Sequence, residues 1–445
     1  MSEHVGYVVK ISEVHPHSNA DRLQIATIFG TSVIVGLDVN VGDIGVYFPT
    51  DIQLSKEYCE NNNLVRKKDE NGNNVGGYLD PDKRNIRAMK LRGEKSDGLF
   101  MPLESFAYTG VTKFEVGEKI ETLNGHEICC KYIPRSNIRV GKVSDGNRTR
   151  KHSEPIAPLF AEHVDTEQLA YNLGAFKPND QIEITLKMHG TSQRTGYLPK
   201  FVGYKRTLLD KILRKRGTPV YDWGYITGTR RVVLNDFEDG GYYGNNEFRA
   251  IHAKAFEGRL NKGETVYYEV VGFTTNGTPI MSSVSNSKIS DKAFTKQYGD
   301  TTVFSYGCSG NGSDFYVYRM TMTNEDGFVV EYSPDFMRYR CEQMGVKCVP
   351  MLEKAYIPSQ DLLDSFNMTV GEWITEKAEE YYDGPDPIGK THVREGVVVR
   401  IVNRPKFCAY KHKNFSFKVL EGLAKDIATE PDMEEAQEVI EDDNS

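Results

Sequence analysis

The chain has 445 residues, 39% of them hydrophobic and 11% aromatic, with a formal charge of −8 and seven cysteines. The length predicts two or three globular domains. The chain contains neither the roughly 18 consecutive apolar residues of a membrane helix nor the apolar run of a signal peptide. We therefore expect a cytoplasmic protein and no membrane partner. The odd number of cysteines, without a C-x-x-C pair, argues for a reducing compartment and against a zinc site.

Residues 1–125 are predicted to form an all-β domain. Short alternating runs are separated by Gly, Asn and Asp turns, a pattern typical of a small barrel. The runs lie at residues 5–11, 24–28, 33–37, 45–48 and 98–101. Two strings within the domain stand out, HPHSNADRL at residues 15–23 and KLRGEKSDGLFMPL at residues 90–103. The first is rich in turn-forming residues, so an ordinary turn also explains it.

A basic, irregular linker is predicted over residues 126–158, followed by a mixed domain over residues 159–425. Its strand signals lie at residues 181–186, 225–229, 265–272, 315–322, 396–402 and 415–419. Two helices are expected between them. One covers residues 207–216, with four apolar residues on one face, and the other covers residues 369–382, opened by a Thr369-x-x-Glu372 capping box.

Charge is distributed unevenly along the chain. Residues 426–445 contain nine acidic residues and no Lys or Arg, so the rest of the chain is close to neutral. We expect this acidic tail to be disordered or a loosely packed helix. Basic clusters occupy residues 142–152 and 205–216. Such clusters suit a polyanionic partner such as nucleic acid, although charge runs also occur as plain solvated surface.

The stretch LKMHGTSQRTG places Lys187 at the end of a predicted strand. A lysine amine attacks phosphorus only in its neutral form, which a partly buried strand end favours. His189 could orient a phosphate or a metal-bound water, and Gly190 lets the backbone approach a ligand closely. The alternative is a strand-end lysine with no chemical role.

Later strings supply further polar candidates, each with a structural alternative. Glu269 lies in the apolar run VYYEVVGF, where a carboxylate needs a partner such as an arginine or a metal ion. Tyr318 in DFYVYRM is either a core residue or a stacking wall for a base. Glu395 precedes three valines in REGVVVRI, and Lys411 and Lys413 in YKHKNFSFK point to one face of a strand, where a phosphate would relieve their repulsion.

In this order the motifs resemble those of the covalent nucleotidyltransferase superfamily, which includes ATP-dependent DNA and RNA ligases and mRNA capping enzymes. KMHGTS is similar to the lysine motif in the His-containing form of RNA ligases, and YYEVVGF, FYVYR, EGVVVR and KHKN are similar to the later motifs. The resemblance covers most of residues 160–420. With HPHSNADRL it extends to ATP-dependent RNA ligases of the Deinococcus and Naegleria type, which have an N-terminal oligonucleotide-binding (OB) domain.

The resemblance implies the fold, the chemistry and the cofactors. The fold would be an all-β OB barrel followed by an α+β nucleotidyltransferase (adenylation) domain with antiparallel sheets. The activity would be ATP-dependent joining of a 3′-OH to a 5′-phosphate through lysyl-AMP and an adenylylated polynucleotide, with Mg²⁺ or Mn²⁺ as the metal. The partner would be RNA, including a nicked duplex with an RNA 3′-OH strand, the biological role RNA repair, and the protein a monomer.

The resemblance also implies roles for individual residues. Lys187 would be the nucleophile and Tyr318 the wall that stacks on adenine. Glu269 and Glu395 would bind ribose hydroxyls or the metal through water. The remaining nucleotide-binding residues would be His189, Gly190, Lys411, Lys413 and Arg230, with Arg231 as the alternative to Arg230.

Two departures from the family pattern and two alternative functions remain. His189 stands where aspartate is commoner, which favours RNA over DNA, and Tyr318-Arg319 stands where Phe-Asp is frequent. A DNA ligase or a capping-type guanylyltransferase is one alternative, although those enzymes usually carry the OB barrel after the catalytic domain. A catalytically inactive RNA- or tRNA-binding adaptor is the other alternative.

Overall fold

The computed structural model describes residues 5–50, 52–68, 74–132, 156–164, 166–213, 215–230, 233–234, 237, 246–289, 291–421 and 424–426. These residues belong to two compact units. The first unit comprises residues 1–144, 285–300 and 415–445, and the second comprises residues 145–284 and 301–414. Within the described ranges, no helix is both long enough and apolar enough to cross a bilayer. Most of the predicted linker, most of the acidic tail and the basic cluster at 142–152 lie outside the described residues.

The first unit is built from short strands, as predicted. The strands are β1 (Gly6–Lys10), β2 (Val14–Pro16), β3 (Leu23–Ile28), β4 (Thr31–Gly36), β5 (Ile44–Phe48), β6 (Ile52–Leu54), β7 (Arg66–Lys68), β8 (Asn74–Gly76), β9 (Ala88–Leu91), β10 (Glu94–Ser96), β11 (Leu99–Pro102), β12 (Lys119–Ile120), β13 (Thr122–Leu123), β14 (His126–Glu127) and β15 (Cys129–Lys131). Helix α1 (Lys56–Asn61) begins at an N-cap serine, Ser55, whose side chain accepts from the Tyr58 N–H. The main sheet has the order β11-β5-β1-β12, and its apolar residues form a core with α1.

The two strings singled out in this unit lie side by side in the structure. The Ser18 hydroxyl donates to Glu94 Oε1 at 2.6 Å, and Arg92 Nη1 donates to the Asn19 carbonyl at 3.2 Å. HPHSNADRL forms β2, the turn after it and the start of β3, while KLRGEKSDGLFMPL forms most of β9 to β11. Strings 67 or more residues apart in the sequence therefore form one surface of the unit.

The second unit contains two predominantly antiparallel sheets. Its strands are β16 (Glu167–Gln168), β17 (Gln181–Leu186), β18 (Thr191–Lys205), β19 (Thr218–Gly228), β20 (Val233–Leu234), β21 (Glu264–Gly272), β22 (Val284–Ser285, where the chain passes to the first unit), β23 (Thr301–Thr302), β24 (Ser313–Thr323), β25 (Val329–Glu331), β26 (Met351–Tyr356), β27 (Gly396–Ile401) and β28 (Cys408–Lys413). A five-stranded sheet has the order β16-β28-β27-β17-β26, and a six-stranded sheet has the order β20-β19-β18-β21-β24-β25.

Five helices of the second unit accompany these sheets. They are α2 (Leu208–Ile212), α3 (Glu247–Lys254), α5 (Pro334–Met344), α6 (Gln360–Ser365) and α7 (Val370–Tyr382). The predicted capping box is present, because the Thr369 side chain accepts from the Glu372 N–H and the Glu372 carboxylate accepts from the Thr369 N–H. The apolar face of the five-stranded sheet packs on α7. Its other face is therefore available for polar side chains.

One predicted strand is wrong. Residues 415–419 form the start of α8 (Phe415–Glu421), because Phe417 and Leu420, three residues apart, are both buried on one helical face. Helix α8, together with α4 (Lys292–Tyr298) and β29 (Ala424–Asp426), belongs to the first unit, where β29 pairs with β9. The alternation in FSFKVLE fits either period over so few residues.

Candidate active site

Polar side chains from both sheets of the second unit line one cavity. The five-stranded sheet contributes alternate residues of β17 and β27 and the strand-end residue Lys187. The six-stranded sheet and the segment after β19 contribute Glu269, Tyr318 and Arg230. Because strand residues point alternately to the two faces, the polar set faces the cavity while the intervening apolar set fills the core. Four of the predicted site residues therefore lie around the same space.

Lys187 is held at the end of β17 by a buried carboxylate. Its Nζ lies 2.6 Å from Oε1 of Glu395, whose side chain is only 2% exposed. Lys413 Nζ lies 3.3 Å from the same oxygen. The backbone N–H of Lys187 donates to the Gly396 carbonyl at 3.0 Å, which continues the β17–β27 pairing past the last strand residue. Residues 226 positions apart in the chain thus form one charged cluster.

The charge of Glu395 is stabilised by its cationic neighbours. Burial opposes ionisation, but Lys187 and Lys413 outweigh it and hold the pKa of Glu395 well below its ordinary value. Its second oxygen, Oε2, is buried and accepts no hydrogen bond from the described residues; Nδ1 of His189 is 3.7 Å away. A buried carboxylate oxygen without a donor is costly, so Oε2 has capacity for a further ligand.

His189 and Gly190 are fixed by different contacts. The His189 ring packs edge-on against Phe304 with centroids 4.6 Å apart, and its backbone N–H donates to the buried Tyr306 hydroxyl at 2.7 Å. A Cβ on Gly190 would lie 2.3 Å from the Val270 carbonyl oxygen. The close approach that requires glycine here is therefore to strand β21, whereas the sequence suggested an approach to a ligand.

Replacing Gly190 by alanine is expected to destabilise the protein by about 1–3 kcal/mol, because the added methyl group must push β18 away from β21. Thermal denaturation should show a lower Tm than for the native chain. Gly174→Ala is the matched control, since a Cβ there meets no atom within 4 Å. An unchanged Tm for Gly190→Ala would contradict the close-packing argument.

Glu269 is the second carboxyl of the site. Desolvation, opposed by Lys187 and reinforced by the negative charge of Glu395, raises the pKa of Glu269 to about 7. Its strand neighbour Ser192 donates to or accepts from the Tyr318 hydroxyl at 2.9 Å. Tyr318 occupies a bulge in β24, since Tyr267 and Tyr268 of β21 pair with Arg319 and Val317 on either side of it. The bulge aims the Tyr318 ring into the cavity wall.

The structure adds His163, a residue that the sequence did not single out. His163 lines the cavity, and its ring lies edge-on to Tyr318 with centroids 5.0 Å apart. Burial, together with the nearby Arg319 and Arg230 charges, lowers the pKa of His163 to about 3, so the ring is neutral. No motif or periodicity marks it in the sequence. Arg231, the alternative to Arg230, lies outside the described residues.

Arg319, which follows Tyr318 in the predicted motif FYVYR, has a structural partner. Its guanidinium binds the Glu331 carboxylate through two nitrogens, because Nε and Nη2 each lie 2.9 Å from Oε2 of Glu331. Arg400 also contacts Glu331, at 3.3 Å. On the neighbouring strand β17, Glu183 binds Arg338 at 3.0 Å. Of these ion-paired residues, Glu183, Arg338 and Arg400 line the cavity, and the sequence motifs gave no sign of the pairs.

Lys411 lies on the cavity side of β28 by register. Ala409, two residues earlier, lines the cavity, and Lys413, two residues later, contacts Glu395. Alternation along the strand therefore places Lys411 on the same face, as the spacing predicted. Both lysine side chains are partly buried.

The donor set of the site fits a divalent cation. Glu395 offers a buried oxygen without a hydrogen bond, and Glu269 is a second carboxyl close enough for Glu395 to perturb its pKa. Carboxylate oxygens, directly or through water, are the ligands that Mg²⁺ and Mn²⁺ prefer. A cation here would offset the repulsion between the two carboxylates.

The chain resembles known proteins in two comparisons. A family model described as an OB-fold domain matches residues 5–103. Among solved structures, a mutant Naegleria gruberi RNA ligase with AMP and Mn matches 95% of this chain and 99% of its own, at 16% identity and a TM-score of 0.56. The Naegleria gruberi RNA ligase with PPi matches 93% of this chain and 98% of its own, at 16% identity and a TM-score of 0.54.

No curated protein matches the sequence. At this level of identity the structural likeness establishes the fold alone. The chain has an N-terminal OB-fold domain and, over nearly its whole length, the fold of the Naegleria gruberi RNA ligase.

Proposed function

We propose that this protein is an ATP-dependent RNA ligase that joins a 3′-OH to a 5′-phosphate through a lysyl-AMP intermediate. The observation that carries the proposal is the placement of Lys187 Nζ, at the edge of a cavity and 2.6 Å from the buried Glu395. An isolated strand-end lysine would point into water. Here the amine is surrounded by two carboxyls, a second lysine and an aromatic wall, the groups that nucleotidyl transfer requires.

The proposed reaction has three steps. Lys187 Nζ forms a bond to the α-phosphorus of ATP, the amine loses a proton, and the bond to pyrophosphate breaks. The AMP group then moves to a 5′-phosphate, which releases the lysine and leaves a 5′–5′ pyrophosphate linkage. Finally the 3′-OH attacks the phosphorus of the original 5′-phosphate, forming the phosphodiester and releasing AMP. Positioning and charge neutralisation do most of the work.

Each neighbouring residue has a role suited to its chemistry. The ring of Tyr318 would stack on adenine, beside the neutral His163 ring. Lys413 and Lys411, on one face of β28, would neutralise the α-phosphate and its transition-state charge. Arg230, which also lines the cavity, would contact phosphate or ribose. His189 lies next to Glu395 and would help to hold the phosphate.

Glu395 and Glu269 would hold Mg²⁺ or Mn²⁺ through water, and Glu269 would also contact the ribose hydroxyls. When bound, the cation supplies positive charge next to the lysine amine and the phosphates, which favours the neutral amine. The Naegleria gruberi structures with AMP and Mn and with ATP and Mn support nucleotide and divalent-metal use by this fold.

RNA is the proposed polynucleotide, including a nicked duplex with an RNA 3′-OH strand, and RNA repair is the proposed role. The OB-fold domain at residues 5–103 supports this, because OB folds bind single strands through the backbone and base stacking. We further propose that the protein acts as a cytoplasmic monomer and that the adenylation domain lies within residues 159–425, after the predicted linker, with residues 285–300 and 415–425 of that range belonging to the first unit.

The experiment that tests this function is covalent labelling. The full-length chain is incubated with Mn²⁺ and ATP or GTP labelled at the α-phosphate, and is then analysed by denaturing gel. Labelling by ATP is the expected result. Labelling by GTP instead would indicate a capping-type guanylyltransferase, and no labelling by either nucleotide would indicate a catalytically inactive RNA-binding adaptor. Joining of nicked duplexes with RNA or DNA on each side of the break then separates RNA from DNA ligase.

A further inference from the structure

The six-stranded sheet carries a long two-stranded ribbon. Strand β18 pairs with β19 along residues 194–205 but with β21 only along residues 191–196. Residues 197–205 therefore extend past the neighbouring strand, by roughly 30 Å at about 3.3 Å per residue. The ribbon starts directly after Gly190 and returns just before Arg230, so it is a continuous extension of the cavity wall.

The end of the ribbon, residues 202–220 (the ribbon tip), exposes two kinds of side chain. Four large apolar residues around α2 are 58–79% exposed: Leu208, Leu209, Ile212 and Leu213. Four cations at the end of β18 and in the connection to β19 are also exposed: Lys205, Arg206, Lys215 and Arg216. Asp210 is the acidic residue of the ribbon tip, and its carboxylate accepts hydrogen bonds from the backbone N–H and the hydroxyl of Thr207. The helix predicted at 207–216 is shorter in the structure, where α2 covers Leu208–Ile212, and the four apolar residues predicted to share one face are exposed.

These four exposed apolar residues, three leucines and Ile212 (the leucine cluster), are dense enough to mark an interaction surface. The ribbon behind it is stiffened by aromatic contacts, because the Phe201 ring packs on Tyr204 and Tyr221 with centroids 5.1 and 5.8 Å apart. A stiff arm with a basic and apolar end is suited to reach a partner larger than a nucleotide.

We propose that the ribbon tip is a polynucleotide-binding surface, with its cations on backbone phosphates and its leucine cluster against unstacked bases or sugars at the break. The identity of that polynucleotide as RNA rests on the proposed function. A polynucleotide offers both phosphate charge and apolar base faces, and apolar side chains are known to insert between base steps. A purely apolar protein groove would leave the four cations without counter-charges.

The proposal is tested by equilibrium binding of a fluorescent nicked RNA duplex, without ATP, over a range of salt concentrations. The charge variant carries Lys205→Gln, Arg206→Gln, Lys215→Gln and Arg216→Gln. The apolar variant carries serine at the four positions of the leucine cluster. The matched control carries glutamine at four exposed lysines elsewhere: Lys177, Lys254, Lys296 and Lys390.

We expect the charge variant to bind about 10–100-fold more weakly and to lose about 2–4 from the slope of log affinity against log salt, since each phosphate contact contributes about 0.7–0.9. The apolar variant should bind about 10-fold more weakly with its slope unchanged, because no counterion is released at a leucine. The control should match the native chain. Self-labelling by ATP should be unaffected in all three variants.

Several results would overturn the proposal. Equal losses in the control and the charge variant would show only a general charge effect, and native affinity in both ribbon variants would show that the tip binds something else. A native dimer that the apolar variant converts to a monomer would identify a second copy as the occupant. Removal of residues 427–445 could instead raise the RNA affinity of the native chain but not that of the ribbon variants. This result would identify the acidic tail as the occupant of the ribbon tip. If ATP does not label the protein but the variants still lose RNA affinity as expected, the proposed function is refuted while the assignment of the ribbon tip as a polynucleotide-binding surface is retained.

Discussion

Replacing Lys187 by alanine is expected to abolish covalent labelling by ATP while preserving the joining of RNA whose 5′ end already carries AMP. The first step requires the amine as the atom that bonds phosphorus, and no other group can replace it. In the last step the lysine has been released, so the remaining site suffices. Gel assays of labelling and of joining with adenylylated RNA separate the two steps. Loss of both steps would mean that Lys187 has a structural role or positions the 3′-OH.

The same substitution also removes a partner of a buried carboxylate, and this effect needs its own control. Lys187→Ala removes the lysine nearest to Glu395 and leaves Lys413, at 3.3 Å, as the remaining lysine beside it, so a lower Tm is expected. Adding Glu395→Gln removes the uncompensated charge and should restore much of the Tm, but not the labelling. Lys354→Ala is the matched lysine control, because Lys354 pairs with Asp335 at 2.8 Å on the outer strand β26 and should label normally. Labelling by Lys187→Ala would refute the assignment of the nucleophile.

The order of motifs in the sequence predicted which side chains meet, but local pattern could not supply their distances. Lys187 and Glu395 were each recognised in a short string, and β17 and β27 are neighbours in the five-stranded sheet. A sheet pairing between residues so far apart depends on long-range packing, which periodicity does not report. The motif resemblance therefore carried this part of the prediction.

The buried ion pairs could not be predicted from the sequence. Glu183 looks like an ordinary charged residue in an alternating strand, yet it is 2% exposed and bound to Arg338 of α5. Arg319 looked like a departure from the family motif, whereas in the structure it binds Glu331. Such pairs join residues from different elements, so no local spacing reveals them. The same is true of His163, which reaches the cavity from an irregular segment.

The ribbon was missed for a different reason. The sequence predicted a strand only at residues 225–229, whereas β19 begins at Thr218 and β18 runs to Lys205. Gly203 and Pro199 interrupt the alternation in β18, and a bulge lies between Phe201 and Gly203. Glycine and proline weaken a strand signal even where the partner strand tolerates them.

Glu269→Gln is expected to make the ligand-free protein more stable at pH 8 while reducing ATP labelling at least about 100-fold. The pKa of Glu269 is raised from 4.5 to about 7 in the folded protein. Below about pH 4.5 the carboxyl is protonated in both states, and its contribution to stability is fully present. This contribution is lost as the pH rises through 7, by up to about 3 kcal/mol, because the unfolded chain releases the proton more readily. An amide stays neutral and avoids that loss.

Calorimetry between pH 5 and pH 8 checks the sign of this pH dependence of stability. The Tm advantage of Glu269→Gln over the native chain should grow with pH, while Glu257→Gln, at an exposed position, should show none. Adding Mn²⁺ at pH 8 should raise the native Tm more than that of Glu269→Gln, because only the ionised carboxyl attracts the cation. At a limiting Mn²⁺ concentration, labelling by the native chain should fall as the pH drops below 7, since protonation of Glu269 competes with metal binding. A Tm advantage that is independent of pH, with labelling intact, would show that Glu269 titrates like an exposed carboxyl and does not serve the metal.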